Sequence, residues 1–138
     1  MSESLIDMLI RHEGLRLKPY RCPAGKLTIG VGRNLDDVGI SKEEAMRMLS
    51  HDIERVQGEM DRHLPWWTML DVPRQVVLTN MAFNLGIHGL MKFEKFLLAV
   101  QQGEYERAAG EMLDSLWAKQ VHRRAVELAA LMQSPVET

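Results

Sequence analysis

The chain has 138 residues, a net charge of −2, and is 46% hydrophobic and 26% charged, which suits one soluble domain or two lobes sharing a core. The near-zero charge argues against a nucleic-acid binder, and a single cysteine rules out an internal disulfide. Five scattered histidines with no Cys/His spacing leave neither a metal nor a cofactor to expect.

The N-terminal MSESLIDMLIRHEG holds a short apolar run broken by Asp7 and preceded by no basic residue, so neither a signal peptide nor a membrane anchor is expected. Ser4 followed by Asp7 marks a helix start, Leu5, Ile6, Leu9 and Ile10 supply the apolar stripe, and Gly14 is the stop. The period then falls to two. Leu15 and Leu17 alternate with Arg16 and Lys18, and Leu27, Ile29 and Val31 alternate with Thr28 and Gly30, which predicts two strands. Cys22-Pro23-Ala24-Gly25 between them fits a turn, and a third short strand is expected near Asn34 to Val38.

After residue 40 the pattern is helical. Ser41-Lys42-Glu43-Glu44 is a capping box opening a helix that runs to about Arg62. Leu64-Pro65-Trp66-Trp67 reads as a loop with a short helical turn, and Asp71 with Pro73 begins another helix. Val76, Val77, Met81, Phe83 and Leu85 make that helix apolar all round, so it is expected to be the central buried one. Further helices are expected at about 90–101, 104–115 and 120–132, followed by a frayed SPVET tail. The plan is α+β, mainly α: one domain with a small β-hairpin lobe at about 14–40, a long helix, and a helical lobe at about 60–138 that includes the N-terminal helix. Such a plan leaves a groove between the lobes, where sites are common.

Three residues of the first part stand out. Glu13 ends the first helix, where the partial negative charge of the helix terminus disfavours a carboxylate, and a general acid must keep its proton. On position alone it reads as an exposed glutamate at a helix end. Cys22 reads as a small hydrophobe, an exposed residue, or a thiol facing the groove, and Thr28 alone is a good strand residue.

The spacing Glu13, eight residues, Cys22, five residues, Thr28, set in EGLRLKPY and LTIGVG, resembles the catalytic region of the phage-type lysozymes, the T-even phage lysozyme and endolysins of glycoside hydrolase family 24. NMAFNLG (80–86) and SLWAKQVHRRAVE (115–127) are similar to the family's central-helix and C-terminal segments, so the likeness covers nearly the whole chain. It implies a lysozyme-like fold and a muramidase that hydrolyses the β-1,4 bond between N-acetylmuramic acid and N-acetylglucosamine. By the same resemblance Glu13 is the general acid, Cys22 occupies the second catalytic position, Thr28 holds the attacking water, and Arg124 pairs with Glu13. Asn84 and Gln120 are candidate substrate-binding groups. The implied partner is the peptidoglycan of a Gram-negative host. The enzyme is expected to be a monomer that accumulates in the cytoplasm until a holin gives access to the wall, with no nucleic-acid partner.

Two departures from the family pattern matter. Cys22 stands where the best-known member has an aspartate, so the usual pair of carboxylates is incomplete. A thiolate there needs a lowered pKa, which Arg21 and Lys26 could supply; Asp36 and Asp37 are the other carboxylates near the turn. Arg33 replaces a histidine, so an ion pair built on that histidine is not expected. A lytic transglycosylase, which needs one acid/base residue, is an alternative. An inactive saccharide-binding module is another, and a nucleic-acid binder using Lys119, Arg123 and Arg124 is disfavoured by charge.

Overall fold

The computed structural model describes residues 2–137. Backbone contacts divide the chain into two units, Met1–Met48 and Leu49–Thr138. The first helix groups with the sheet in unit 1, whereas the sequence pattern had counted it with the helical part.

Helix α1 spans Leu5–Glu13. Ser4 Oγ accepts the Asp7 N–H at 3.1 Å, which satisfies one of the free amides of the first turn. Gly14, at φ +80°, turns the chain out and donates its N–H to Ile10 O at 2.7 Å. Strands β1 (Arg16–Arg21), β2 (Leu27–Gly30) and β3 (Arg33–Asn34) form an antiparallel sheet in sequence order. Tyr20 pairs with Thr28 and Arg21 with Leu27, and the register shifts between Arg16 and Tyr20. Pro19, which cannot donate to a ladder, lies in that irregular stretch.

The third strand is shorter than expected and sits earlier. Asn34 Oδ1 accepts the Asp37 N–H at 2.9 Å and Asn34 O accepts the Val38 N–H at 3.0 Å, so residues after Asn34 fold into a turn. Asp36 takes over at the sheet edge by accepting the Leu27 N–H at 2.7 Å.

Helix α2 runs over Lys42–His63 and continues from unit 1 into unit 2. Its capping box is reciprocal: the Glu44 N–H donates to Ser41 Oγ at 3.1 Å and the Ser41 N–H to Glu44 Oε1 at 2.9 Å. The same carboxylate accepts two bonds from Arg33, at 2.9 and 2.8 Å, and Arg33 also donates to Gly39 O at 3.0 Å. An ion pair therefore forms at the position of the replaced histidine, through Glu44. Among the described residues of unit 1 only Thr28 is buried, so polar links rather than an apolar core define this unit.

Unit 2 holds the hydrophobic core. A 3-10 helix at Pro65–Met69 leads to α3 (Val72–Leu85), α4 (Ile87–Met91), α5 (Glu94–Gln101), α6 (Tyr105–Leu113), α7 (Leu116–Val121) and α8 (Arg123–Gln133). Val77, Leu78, Met81 and Ala82 of α3 are buried, as expected of a central helix, but Val76 and Phe83 are exposed, so only one face is packed. Two expected helices are broken. The segment 90–101 splits at Lys92-Phe93, where Lys92 and Phe93 donate to Gly89 O and Leu90 O, closing α4 with tight three-residue turns. The segment 120–132 splits at His122, whose φ of +49° no helix accommodates.

Of the SPVET tail, Ser134, Pro135 and Glu137 are tied down by hydrogen bonds, and Thr138 lies outside the described residues. Arg74, 1% exposed, donates to Met132 O at 3.1 Å, to Pro135 O at 3.4 Å and to Ser134 O, and pairs with Asp71 at 2.8 Å. Its guanidinium lies 4.3 Å from the Tyr105 ring centre. Asp71 stands at the N-cap position of α3 but makes no capping bond there; its Oδ2 accepts from Arg74 and from the Glu137 N–H at 3.0 Å.

Two measurements check these links. Glu44 is held down to about 2, first by the Arg33 hydrogen bonds and next by the Ser41 N–H. A depressed carboxyl stabilises the fold above its ordinary value of 4.5 and loses that contribution as pH falls toward 2. Thermal unfolding followed from neutral to acid pH is therefore expected to be less pH-dependent in Glu44→Gln than in the wild type across that window. Arg74→Met leaves the Asp71 charge buried and unpaired and is expected to cost about 3–5 kcal/mol in denaturant unfolding, with part recovered in Arg74→Met/Asp71→Asn.

Candidate functional site

Unit 1 carries three of the sequence-predicted residues. Glu13 is the last residue of α1, and its side chain is exposed. Its carboxylate rests against Gly32, in the turn between β2 and β3: a Cβ at Gly32 would stand 2.8 Å from Glu13 Oε2. The end of α1 thus meets the β2–β3 turn of the sheet whose other turn carries Cys22 and whose second strand carries Thr28.

Cys22 and Thr28 meet across the hairpin. Cys22 opens the β1–β2 turn, donating its N–H to Lys26 O at 2.9 Å and accepting the Gly25 N–H at 2.8 Å. Gly25 closes the turn at φ +79°, a conformation glycine adopts without a steric cost. Thr28, one residue into β2, is 3% exposed and donates its hydroxyl to Lys26 O at 2.8 Å. The Cys22 thiol is partly exposed and lies below its ordinary pKa. The leading cause is a hydrogen bond from the Lys26 backbone; burial opposes it, and the Ala24 backbone and the Thr28 hydroxyl add to the lowering. Thr28 has one proton, so turning it to the sulfur means releasing Lys26 O.

The cations do not play the part the sequence suggested. Arg21 donates to Gly25 O at 3.1 Å and lies 3.9 Å from Asp36, and Lys26 pairs with Asp37 at 3.3 Å. The thiol pKa is lowered chiefly by backbone hydrogen bonding instead. Asp36 and Asp37 are committed to the Leu27 N–H and to Lys26 and Asn34, respectively.

The other three residues lie in unit 2. Asn84 is exposed at the end of α3, and its Oδ1 accepts the Trp117 indole N–H at 2.8 Å, which joins α3 to α7. Gln120 is exposed on α7. Arg124, near the start of α8, donates Nε to Asn80 Oδ1 at 2.9 Å and Nη2 to Asn80 O at 3.4 Å. Arg124 and Asn80, with Gln57, Gln75 and Thr79, are the polar lining of a pocket of about 410 Å³ whose apolar wall is Leu49, Ile53, Val72, Val76 and Phe83. None of Glu13, Cys22 and Thr28 lines it.

Two residues escaped sequence reasoning. Asn80 gave no signal beyond its place in NMAFNLG. Gly32 was legible only as a turn glycine, and its contact with Glu13 exists only once α1 and the sheet are folded together.

Chemically, unit 1 presents a carboxyl group, a thiol whose pKa is lowered, and a threonine oxygen with lone pairs to accept a hydrogen bond.

A protein-family model described as phage lysozyme matches residues 10–133. The chain is 31% identical to the pre-baseplate central spike protein Gp5 of Enterobacteria phage T4, over 94% of this chain and 27% of that protein, so it spans about a quarter of that relative. It is 31% identical to an endolysin of Acyrthosiphon pisum secondary endosymbiont phage 1, over 86% of this chain and 80% of the relative. Probable T4-type lysozyme 2 of Dictyostelium discoideum is 26% identical, over 97% and 96%.

The thiol makes a direct test of the local electrostatics. Alkylation of Cys22 by iodoacetamide, followed against pH, is expected to have a midpoint below that of free cysteine. Thr28→Val should raise the midpoint only slightly, because the Lys26 amide is the leading cause. A wild-type midpoint at the free-thiol value would show that the amides do not reach the sulfur.

Proposed function

We propose that this chain, which belongs to the phage lysozyme family, is a peptidoglycan-degrading endolysin that hydrolyses the β-1,4 bond between N-acetylmuramic acid and N-acetylglucosamine. The observation that carries the reading is that Glu13 rests against Gly32 of the β2–β3 turn, in the unit where Cys22 and Thr28 meet at the β1–β2 hairpin. Glu13 gives its proton to the leaving glycosidic oxygen. A water held by the Thr28 oxygen adds to the sugar carbon, and its proton passes to the Cys22 thiolate. The product keeps a reducing end. Asn84, Gln120 and Arg124 are the groups of the helical unit that bind substrate or hold its neighbours in place. In this reading the protein is a monomer that accumulates in the cytoplasm of the bacterial host and reaches the wall after a holin opens the membrane.

One observation favours a second reading. Asp36 and Asp37 are taken up by the sheet turn, so no second carboxylate of that turn is free for the bond. A lytic transglycosylase needs one acid/base residue and uses the sugar's own hydroxyl in place of water.

Mass spectrometry of fragments released from purified Gram-negative peptidoglycan separates the two, with Glu13→Gln as control. Fragments with ordinary reducing muramic ends, lost in Glu13→Gln by a factor of about 100 or more, are the expected result. Fragments lighter by one water would establish the transglycosylase, and release of nothing by the wild type would leave only saccharide binding.

A further inference from the structure

We infer that Gly32 is a positioning residue for the Glu13 carboxylate; this rests on the reading of Glu13 as the general acid. Seven glycines have positive φ, and six of them leave a Cβ in open space or, at Gly39, no nearer than 3.9 Å to a backbone oxygen. Gly32 differs. A Cβ there would meet Glu13 Oε2 at 2.8 Å, Cδ at 3.2 Å and Cβ at 3.3 Å. Its φ of +68° explains glycine on conformational grounds, and the contact is a second, separate reason.

The wall that Gly32 offers is fixed on its far side. The next residue, Arg33, pairs with Ile29 in the sheet and holds Glu44 through two hydrogen bonds. The Glu13 side chain is the movable partner, since its oxygen is the far end of a flexible chain. An added methyl group therefore shifts the carboxyl group rather than the turn. Misplacing a reacting group by ~1 Å can cost about 100-fold in rate.

Gly30 supplies a matched control. It ends β2, two residues before Gly32, at φ +71°, and has nothing within 4 Å of its Cβ position. Gly32→Ala and Gly30→Ala should lose similar thermal stability, because both strain the backbone alike. Gly32→Ala is expected to lose about 100-fold in kcat with KM little changed, while Gly30→Ala keeps the greater part of its rate. The ¹³C-carboxyl chemical shift of Glu13, read by NMR at one fixed pH, should move in Gly32→Ala and stay in Gly30→Ala. Should the alanine variants fail to fold, Gly32→Asn and Gly30→Asn repeat the comparison, because asparagine tolerates positive φ and still carries a Cβ. Equal losses of rate at 32 and 30, with an unmoved Glu13 carboxyl resonance, would overturn the positioning role. Full activity in Glu13→Gln would instead overturn the reading of Glu13 as the acid.

Discussion

The Glu44 carboxylate is shared between two tasks in unit 1. It closes the capping box of α2 through Ser41 and holds the guanidinium of Arg33 at the start of β3. Arg33 adds a bond to Gly39 O, so the chain that leaves the sheet is tied to the helix it enters. Because the described part of this unit buries no large apolar side chain, such polar ties decide its shape. Their consequence reaches the candidate site. Arg33 follows Gly32, and Gly32 is the surface on which the Glu13 carboxylate rests. A helix cap and an ion pair therefore sit two steps from the proposed acid.

The surroundings of Cys22 show how charge is managed nearby. Arg21, Lys26, Asp36 and Asp37 all surround the hairpin, and each is satisfied by another member of that set or by the backbone. Exposed ion pairs of this kind are weak and screened by salt. Backbone amides cannot move away, and their dipoles act at hydrogen-bonding distance. A thiol pKa lowered by amides of a tight turn is thus less sensitive to ionic strength than one lowered by a neighbouring lysine. The turn that Pro23 and Gly25 impose is what aims those amides at the sulfur.

In unit 2 the burial of charge is confined to one place. Arg74 is enclosed, and its donors are spread over Asp71 and three carbonyls, one in the last turn of α8 and two after it. A guanidinium suits this task because its planar fork serves several acceptors at once. Asp71 Oδ1 is buried with no partner among the described residues, so the pair is held at some cost in desolvation. The arrangement fastens the last residues to the start of α3, the helix that also carries Asn80 and Asn84.

Local patterns were legible from the residues alone. Ser4 and Gly14 bounded α1, the period-two alternation located β1 and β2, and Ser41 and Glu44 opened α2. These depend on hydrogen bonds and periodicities within a few residues, which a sequence displays directly. The missed features join positions far apart. Arg74 to Ser134, Arg124 to Asn80, Asn84 to Trp117 and Gly32 to Glu13 span intervals that no local pattern encodes. The breaks at Phe93 and His122 were lost because helical propensity runs straight through them, and packing of the helices on either side overrides it. Sequence by itself determined which side chains could do the chemistry; tertiary structure decided which amides, glycines and ion pairs hold them, because those contacts form only when distant segments are folded together.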